Sequence, residues 1–393
     1  MTNKLQIQNH RAKIWLVIFF TISLNIIWNA GFDNDISIYA AIILSVILIL
    51  DIYYDEKVVN INNIALVLFV FLFWSSFSII WSVYPIRTVI ESVQLSVYLL
   101  AYVLLTRLSD ENVEKILNSV LIIAFLVSIL GLIEYIFITG ARIQSTFTNP
   151  NPFGIFIGMF FLTTLSIGIR IKSKSLDFFS ILFLTTLFLS GSRASMGAVS
   201  VSIFLIYFGL TKENLKKGII KTIIVILIAL TTTQILMYVS IYTRENIFIN
   251  KSVLESITRR SSFVTSSLKG RLEFWRVAFE LFKNKPITGY GLGTYFSAYY
   301  TEYGMNQWYA RFTHNHYLQI ASELGIVGIL VFLSFIWNSF KGIVFSAKND
   351  YKPEYFWGMV SAIVAFLLHI GVDFSWNFPG VTIIFILFLA IVT

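Results

Sequence analysis

Two of the chain's four histidines fall in the stretch RFTHNHYLQIASELGIVG, where His314 and His316 stand just before an apolar run. Histidine changes charge near neutral pH, so it suits the removal of a proton from a hydroxyl. Arginines recur in the short polar stretches, at Arg142, Arg193, Arg271, Arg276 and Arg311. A guanidinium matches phosphate oxygens in a bidentate fork. Gathered in one place, these residue types suit a transfer in which a phosphate departs and a hydroxyl attacks. The chain has no cysteine, which excludes disulfides, thiolate nucleophiles and Cys-based metal sites.

The elements that must position these residues are set by composition. Of 393 residues, 57% are hydrophobic, 17% aromatic and 13% charged, and the mean hydropathy is +0.78. A soluble domain carries about a quarter charged residues, so this is the composition of an integral membrane protein. A spanning helix needs about 20 mostly apolar residues, and that rule predicts an all-α protein of about twelve spans. They lie at 14–30, 36–52, 62–81, 88–106, 114–138, 152–169, 176–191, 194–210, 218–241, 317–340, 355–373 and 377–392. The polar turn LSGSRASMG separates the two spans between 176 and 210. The opening MTNKLQIQNHRAK is too polar for a signal peptide and reads as a cytoplasmic tail.

An even number of spans places both termini on one side, and Lys and Arg choose the side. With the termini inside, the short external loops hold only Arg87, Arg142 and Arg193, and the internal segments hold most of the rest. One external segment, 242–316, is long enough to escape that rule. The expected division is a bundle of spans over 1–241, a large external loop with short amphipathic helices over 242–316, and further spans over 317–393. In GRLEFWRVAFELFKNKPITGYGLGTY, Leu272, Trp275, Phe279 and Phe282 share a helical face, and Pro286 ends the helix. Gly289, Gly291 and Gly293 follow as a flexible turn.

On this topology the unusual residues share the outer side. Arg142 and TFTNPNPFG follow span five, Arg193 follows span seven, and Asp373 with DFSWNFP ends span eleven. Arg271, Arg276, Arg311, His314 and His316 belong to the long loop. The physical reading is an external site for a phosphorylated, lipid-borne substrate. Each residue also has a plainer role. A lone arginine in a turn is most often solvated or bound to lipid headgroups, Arg271 can pair with Glu273, and His316 can be a structural hydrogen-bonder. NPNP is first a turn signal. The glycines do not open a helix after a strand, which argues against a dinucleotide loop.

Three stretches resemble the O-antigen ligase and Wzy-type polymerase family of bacterial surface-polysaccharide enzymes. SGSRASMG is similar to its Ser-Arg turn between spans, and GRLEFWRVAFELFKNKPITGYGLGTY to its Arg-x-x-x-Trp helix with a following Pro and Gly-x-Gly turn. HNHYLQIASELGIVG is similar to its His-Asn-x-Tyr-Leu…Glu-x-Gly-x-x-Gly segment, and TFTNPNPFG and DFSWNFP fit weaker surrounding patterns. The resemblance implies glycosyl transfer on the external face of the cytoplasmic membrane. The donor would be a glycan on undecaprenyl diphosphate, and the acceptor a hydroxyl of another glycan or of lipid A–core. It implies no cofactor, no metal and no nucleic acid, with membrane lipid and a chain-length regulator as further partners. Arg193 and Arg271 map onto the family's diphosphate-contacting arginines and His314 onto its catalytic histidine. Arg276, Arg142, Arg311, Asn315 and His316 rank behind them as substrate-binding residues; Asn315 and Glu323 are expected to orient and pack rather than react.

Two other classes compete. FDND, at 32–35, is an acidic pair of the kind metal-dependent lipid-linked glycosyltransferases place in a first external loop. A lipid-linked glycan transporter would also have about twelve spans, but transporters gather ionisable groups at the bilayer midplane. Here the spans hold few, chiefly Glu91, Glu134 and His369. Polymerase and ligase share the motifs, and the expectation is polymerisation of repeat units.

Overall fold

The computed structural model describes residues 2–28, 34–55, 62–247, 253–304, 310–348 and 354–393, with side chains at 14–28, 35–53, 62–243, 269–304, 310–348 and 354–393. Among them every regular element is helical. The helices are α1 (Thr2–Ile27), α2 (Asn34–Asp55), α3 (Asn63–Phe77), α4 (Pro85–Leu105), α5 (Asp110–Ile133), α6 (Pro150–Ile171), α7 (Lys174–Ser190), α8 (Arg193–Ser202), α9 (Lys212–Ile247), α10 (Val253–Asn284), α11 (Tyr295–Tyr303), α12 (His316–Ala347), α13 (Phe356–His369) and α14 (Pro379–Val392). Each expected span overlaps one of these helices. Seven helical stretches among the described residues are long and apolar enough to cross a membrane. The apolar stretches Ile14–Ile27, Arg193–Tyr207, Phe356–His369 and Pro379–Val392 are shorter. Length therefore supports a multi-pass membrane protein, and a count of twelve full-length spans exceeds what these helices reach.

Local chemistry sets the helix ends that matter for the site. Asn149 caps α6 by accepting from Asn151 N, and Pro150 starts the first turn, where a missing N–H costs nothing. The expected break between α7 and α8 falls at Gly191, whose φ of 59° ends α7, and Ser192 then caps α8 by accepting from Ser195 N. Asn315 caps α12 by accepting from Leu318 N. The centre of the bundle is α6, apolar and buried nearly all round. It packs against α7, α8 and α13, while α14 fills the space between α13, α4 and α1.

The segment after α9 departs from the expected loop with short helices. α9 continues to Ile247, and α10 is a single helix of 32 residues that packs on α12. The face of α10 turned inward is Val277, Ala278 and Leu281, which join Tyr290, Tyr295, Ala298 and Tyr299 in a separate small core. Leu272 and Phe279, on the face expected from the pattern, are exposed. Both stripes follow helical spacing, and the tyrosine-rich turn that follows selects the inner one.

The glycine turn is tightly built rather than flexible. Gly325 has φ 67° and breaks α12, freeing backbone groups on both sides of the kink. Tyr290 N donates to Ser322 O at 3.2 Å, Gly291 N to Glu323 O at 2.8 Å, and Ile326 N to Pro286 O at 2.8 Å. Trp74 Nε1 from α3 donates to Leu324 O at 3.1 Å. A Cβ at Gly289 would overlap the Glu323 carbonyl, and one at Gly325 would overlap that of Ile287. The turn thus serves as the missing hydrogen-bond partner of a broken helix.

Candidate active site

His314 sits in the left-handed region, φ 54°, one residue before the cap of α12. Its neighbour Thr313 fixes this bend: Thr313 Oγ1 accepts from Asn315 N at 3.0 Å and donates to Asn315 O at 2.6 Å. The imidazole lies edge-on to Phe374, 4.6 Å between centroids, and is stacked on Phe274 of α10 at 5.9 Å. About a quarter of its side-chain surface, 25%, stays open. Nδ1 is buried and faces Asp373 Oδ2 at 3.9 Å, longer than a hydrogen bond. Catalytic hydrogen bonds are often long in unliganded sites and tighten on binding.

Asp373 lies beyond the end of α13, in the connection to α14, and is completely buried. Its Oδ2 accepts from Asn151 Nδ2 at 2.9 Å, and its Oδ1 accepts from Ser375 Oγ at 2.7 Å. His369 Nε2 is 3.4 Å from Oδ1 and 3.0 Å from Ser375 Oγ. Burial alone would raise the carboxyl's pKa; the imidazoles of His314 and His369 outweigh it and hold the group well below the usual carboxylate range. An ionised Asp373 favours the His314 tautomer with its proton on Nδ1, leaving a lone pair on Nε2.

The network extends to the other helices. Arg142 donates to Asn151 Oδ1 and to Ser190 O, both at 2.7 Å, so it ties the end of α7 to the start of α6. Ser195 Oγ donates to Asn151 O at 3.2 Å, shares a 2.8 Å hydrogen bond with Ser192, and lies 3.5 Å from His369 Nδ1. Ser195, His369 and Asp373 have the residue types of a nucleophilic triad. Ser195 is fully buried and already bonded to protein, so it acts as a strut.

The two first-ranked arginines stand on different helices, α8 and α10. Arg193 is exposed on the first turn of α8, between Ser192 and Ser195. Arg271 is one turn before Phe274, the ring stacked on His314. Neither guanidinium has a hydrogen-bond or ion-pair partner among the described residues. Glu273 pairs instead with Arg276 in a bidentate contact of 2.7 and 3.0 Å. Among the described residues both guanidiniums are therefore open to an anion such as a phosphate oxygen.

The remaining predicted residues have other surroundings. Arg142 is engaged as described, Arg276 is held by Glu273, and Arg311 lies over the Phe312 ring at 5.1 Å. Asn315 Oδ1 is taken by Leu318 N at 3.1 Å. His316 is buried and stacked on Trp376 at 5.1 Å, turned into the bundle rather than toward the opening at His314. Glu323 accepts from Gly293 N at 2.8 Å and Tyr295 N at 3.1 Å, the packing role expected of it. Of FDND, residues 32 and 33 lie outside the described residues. Sequence reading noted Asp373 and His369 but gave them no role, and it passed over Asn151 within NPNP. Their shared polar character in apolar surroundings was the available signal.

No curated protein matches the chain. Residues 178–333, which run from α7 into the kinked α12 and carry Arg193, Arg271 and His314, match the family model described as O-antigen ligase.

Proposed function

We propose that the protein is a membrane glycosyltransferase that moves a glycan from a polyprenyl diphosphate to a sugar hydroxyl, with His314 as base. The carrying observation is a partly open His314 imidazole whose Nδ1 faces the buried carboxylate of Asp373; Arg193 on α8 and Arg271 on α10, without partners among the described residues, are the cations assigned to the diphosphate. His314 Nε2 takes the proton from the acceptor hydroxyl, whose oxygen forms the new bond to the anomeric carbon. The bond from that carbon to the diphosphate breaks, and its electron pair leaves with the diphosphate. Arg193 and Arg271 neutralise the charge that builds there, often the largest single catalytic contribution. Asp373 orients His314 and stabilises it once protonated.

In this reading the donor lipid is undecaprenyl diphosphate, the site opens on the external face of the cytoplasmic membrane, and both termini are cytoplasmic. The divisions at 1–241, 242–316 and 317–393 mark sequence regions of one catalytic unit, since α10 packs on α12. The acceptor is a second lipid-linked repeat unit, which makes the enzyme a polymerase. Transfer to lipid A–core is the second reading, favoured by the description of the matching family. Purified protein with one lipid-linked repeat unit decides between them, with half the samples in EDTA. A ladder of multimers that survives EDTA supports metal-independent polymerisation. A single product formed only with lipid A–core supports the ligase, and lipid-linked glycan crossing liposomes unaltered supports a transporter.

A further inference from the structure

A second polar site lies deeper than His314. A cavity of about 30 Å³ is bordered by His316, Gln319 and Glu323 of α12, Glu91 of α4 and Asn377 before α14. A water needs about 10–15 Å³ of such space, so the cavity holds one or two small species and no sugar.

Its walls are unusually short of partners. His316 is buried between Trp376 and the edge of Phe332, and neither ring nitrogen has a hydrogen bond among the described residues. Gln319 Oε1 and Asn377 Oδ1 are likewise buried without a partner. Glu323 is held by the two backbone N–H groups of Gly293 and Tyr295 and by Gln319 Nε2 at 3.2 Å. Glu91 forms an ion pair with Arg87, one turn earlier on α4. The second carboxylate, Glu323, has no ion-pair partner among the described residues.

This pattern selects a class of occupant. Two carboxylates and two orphaned carbonyl oxygens exclude an anion. No three His, Cys, Asp or Glu side chains among the described residues gather as a divalent metal site would require. A monovalent cation satisfies the orphaned oxygens and also supplies the counter-charge that an ionised Glu323 lacks among the described residues, which water alone does not. We infer that the cavity formed by Glu323, Gln319, His316 and Asn377 binds a small monovalent cation, sodium. Gln319 Oε1, Asn377 Oδ1 and one imidazole nitrogen supply neutral ligands, and Glu323 supplies the charge. The cation ties α4 to the first turns of α12 and to the α13–α14 connection, the two segments that carry His314 and Asp373.

The test reads stability, so it is independent of whether the proposed glycosyl transfer is right. Thermal unfolding of the full-length purified protein is followed at constant ionic strength in sodium chloride or choline chloride. At a sodium concentration about tenfold above its Kd, sodium raises the Tm by about 2 °C over choline. The rise is lost in Glu323→Gln and reduced in His316→Phe, which keeps the ring stack. Gln319→Leu reports in place of Glu323→Gln if that variant fails to fold. The titratable and charged groups around Glu323 are Glu91, Arg87, His316, Tyr98 and Tyr295. A Tm that is the same in both salts overturns the site, and stability of wild type over Glu323→Gln that grows as the pH falls from 8 to 6 without a sodium response marks a protonated Glu323 with water in its place.

Discussion

Asp373 Oδ2 lies 3.9 Å from His314 Nδ1 and is pinned from the other side by Asn151 Nδ2 at 2.9 Å. The carboxylate that faces His314 is thus fixed by the first turn of α6, which Arg142 ties to α7. His314 is thereby set against residues from three distant parts of the chain.

Asp373→Asn keeps the shape of this contact and removes its charge. The turnover rate is expected to fall about 10²-fold or more, with a smaller change in KM. Equal kcat in the variant would show that Asp373 does not act on His314.

The same residue sets a stability that depends on pH. Its folded pKa is depressed, so its contribution is fully present above the unfolded carboxylate value of about 3.9 and is lost as the pH falls toward the folded value. The Tm of wild type over Asp373→Asn should stay constant from pH 7 to about 5 and shrink below about pH 4. A difference that grows on acidification would contradict the assignment.

Arg193→Ala and Arg271→Ala should each lower the transfer rate about 10²- to 10³-fold, the usual cost of removing one preorganised charge partner. Lysine at either position should restore part of the rate, since it keeps the charge and loses the fork. Arg276→Ala should cost far less, because its guanidinium is already committed to Glu273 at the surface. Steady-state rates on a lipid-linked donor separate these cases.

Gly325→Ala puts a Cβ against the Ile287 carbonyl in a backbone conformation that L-residues avoid. A loss of about 3 kcal/mol or more is expected, read as a fall in Tm and in yield of folded protein. Asn315→Ala should cost about 1 kcal/mol through the lost cap, and Asn315→Ser should recover most of it.

Much of this site was legible before the fold was known. The break at Gly191, the cap at Asn149 and the end of α10 just before Pro286 follow from local backbone chemistry, which a sequence states directly. Scarce charge drew attention to all the arginines and histidines of the polar segments, and the resemblance of three stretches ranked Arg193, Arg271 and His314 first. The structure added what pairs across distance. Glu273 chooses Arg276, the glycine turn completes the kink at Gly325, and Asp373 faces His314. Periodicity carries no record of such contacts. It also could not choose between two apolar stripes on α10, since burial depends on the tyrosines packed beneath one of them.

The most direct test of the central claim compares wild type with His314→Ala and His314→Gln on one lipid-linked repeat unit, scoring glycan transferred and polyprenyl diphosphate released. The account predicts that both variants still fold, at a Tm lowered by a few degrees as Asp373 loses one imidazole partner, and lose transfer by about 10³-fold, with donor binding retained through Arg193 and Arg271. Transfer at the wild-type rate in either variant would contradict it.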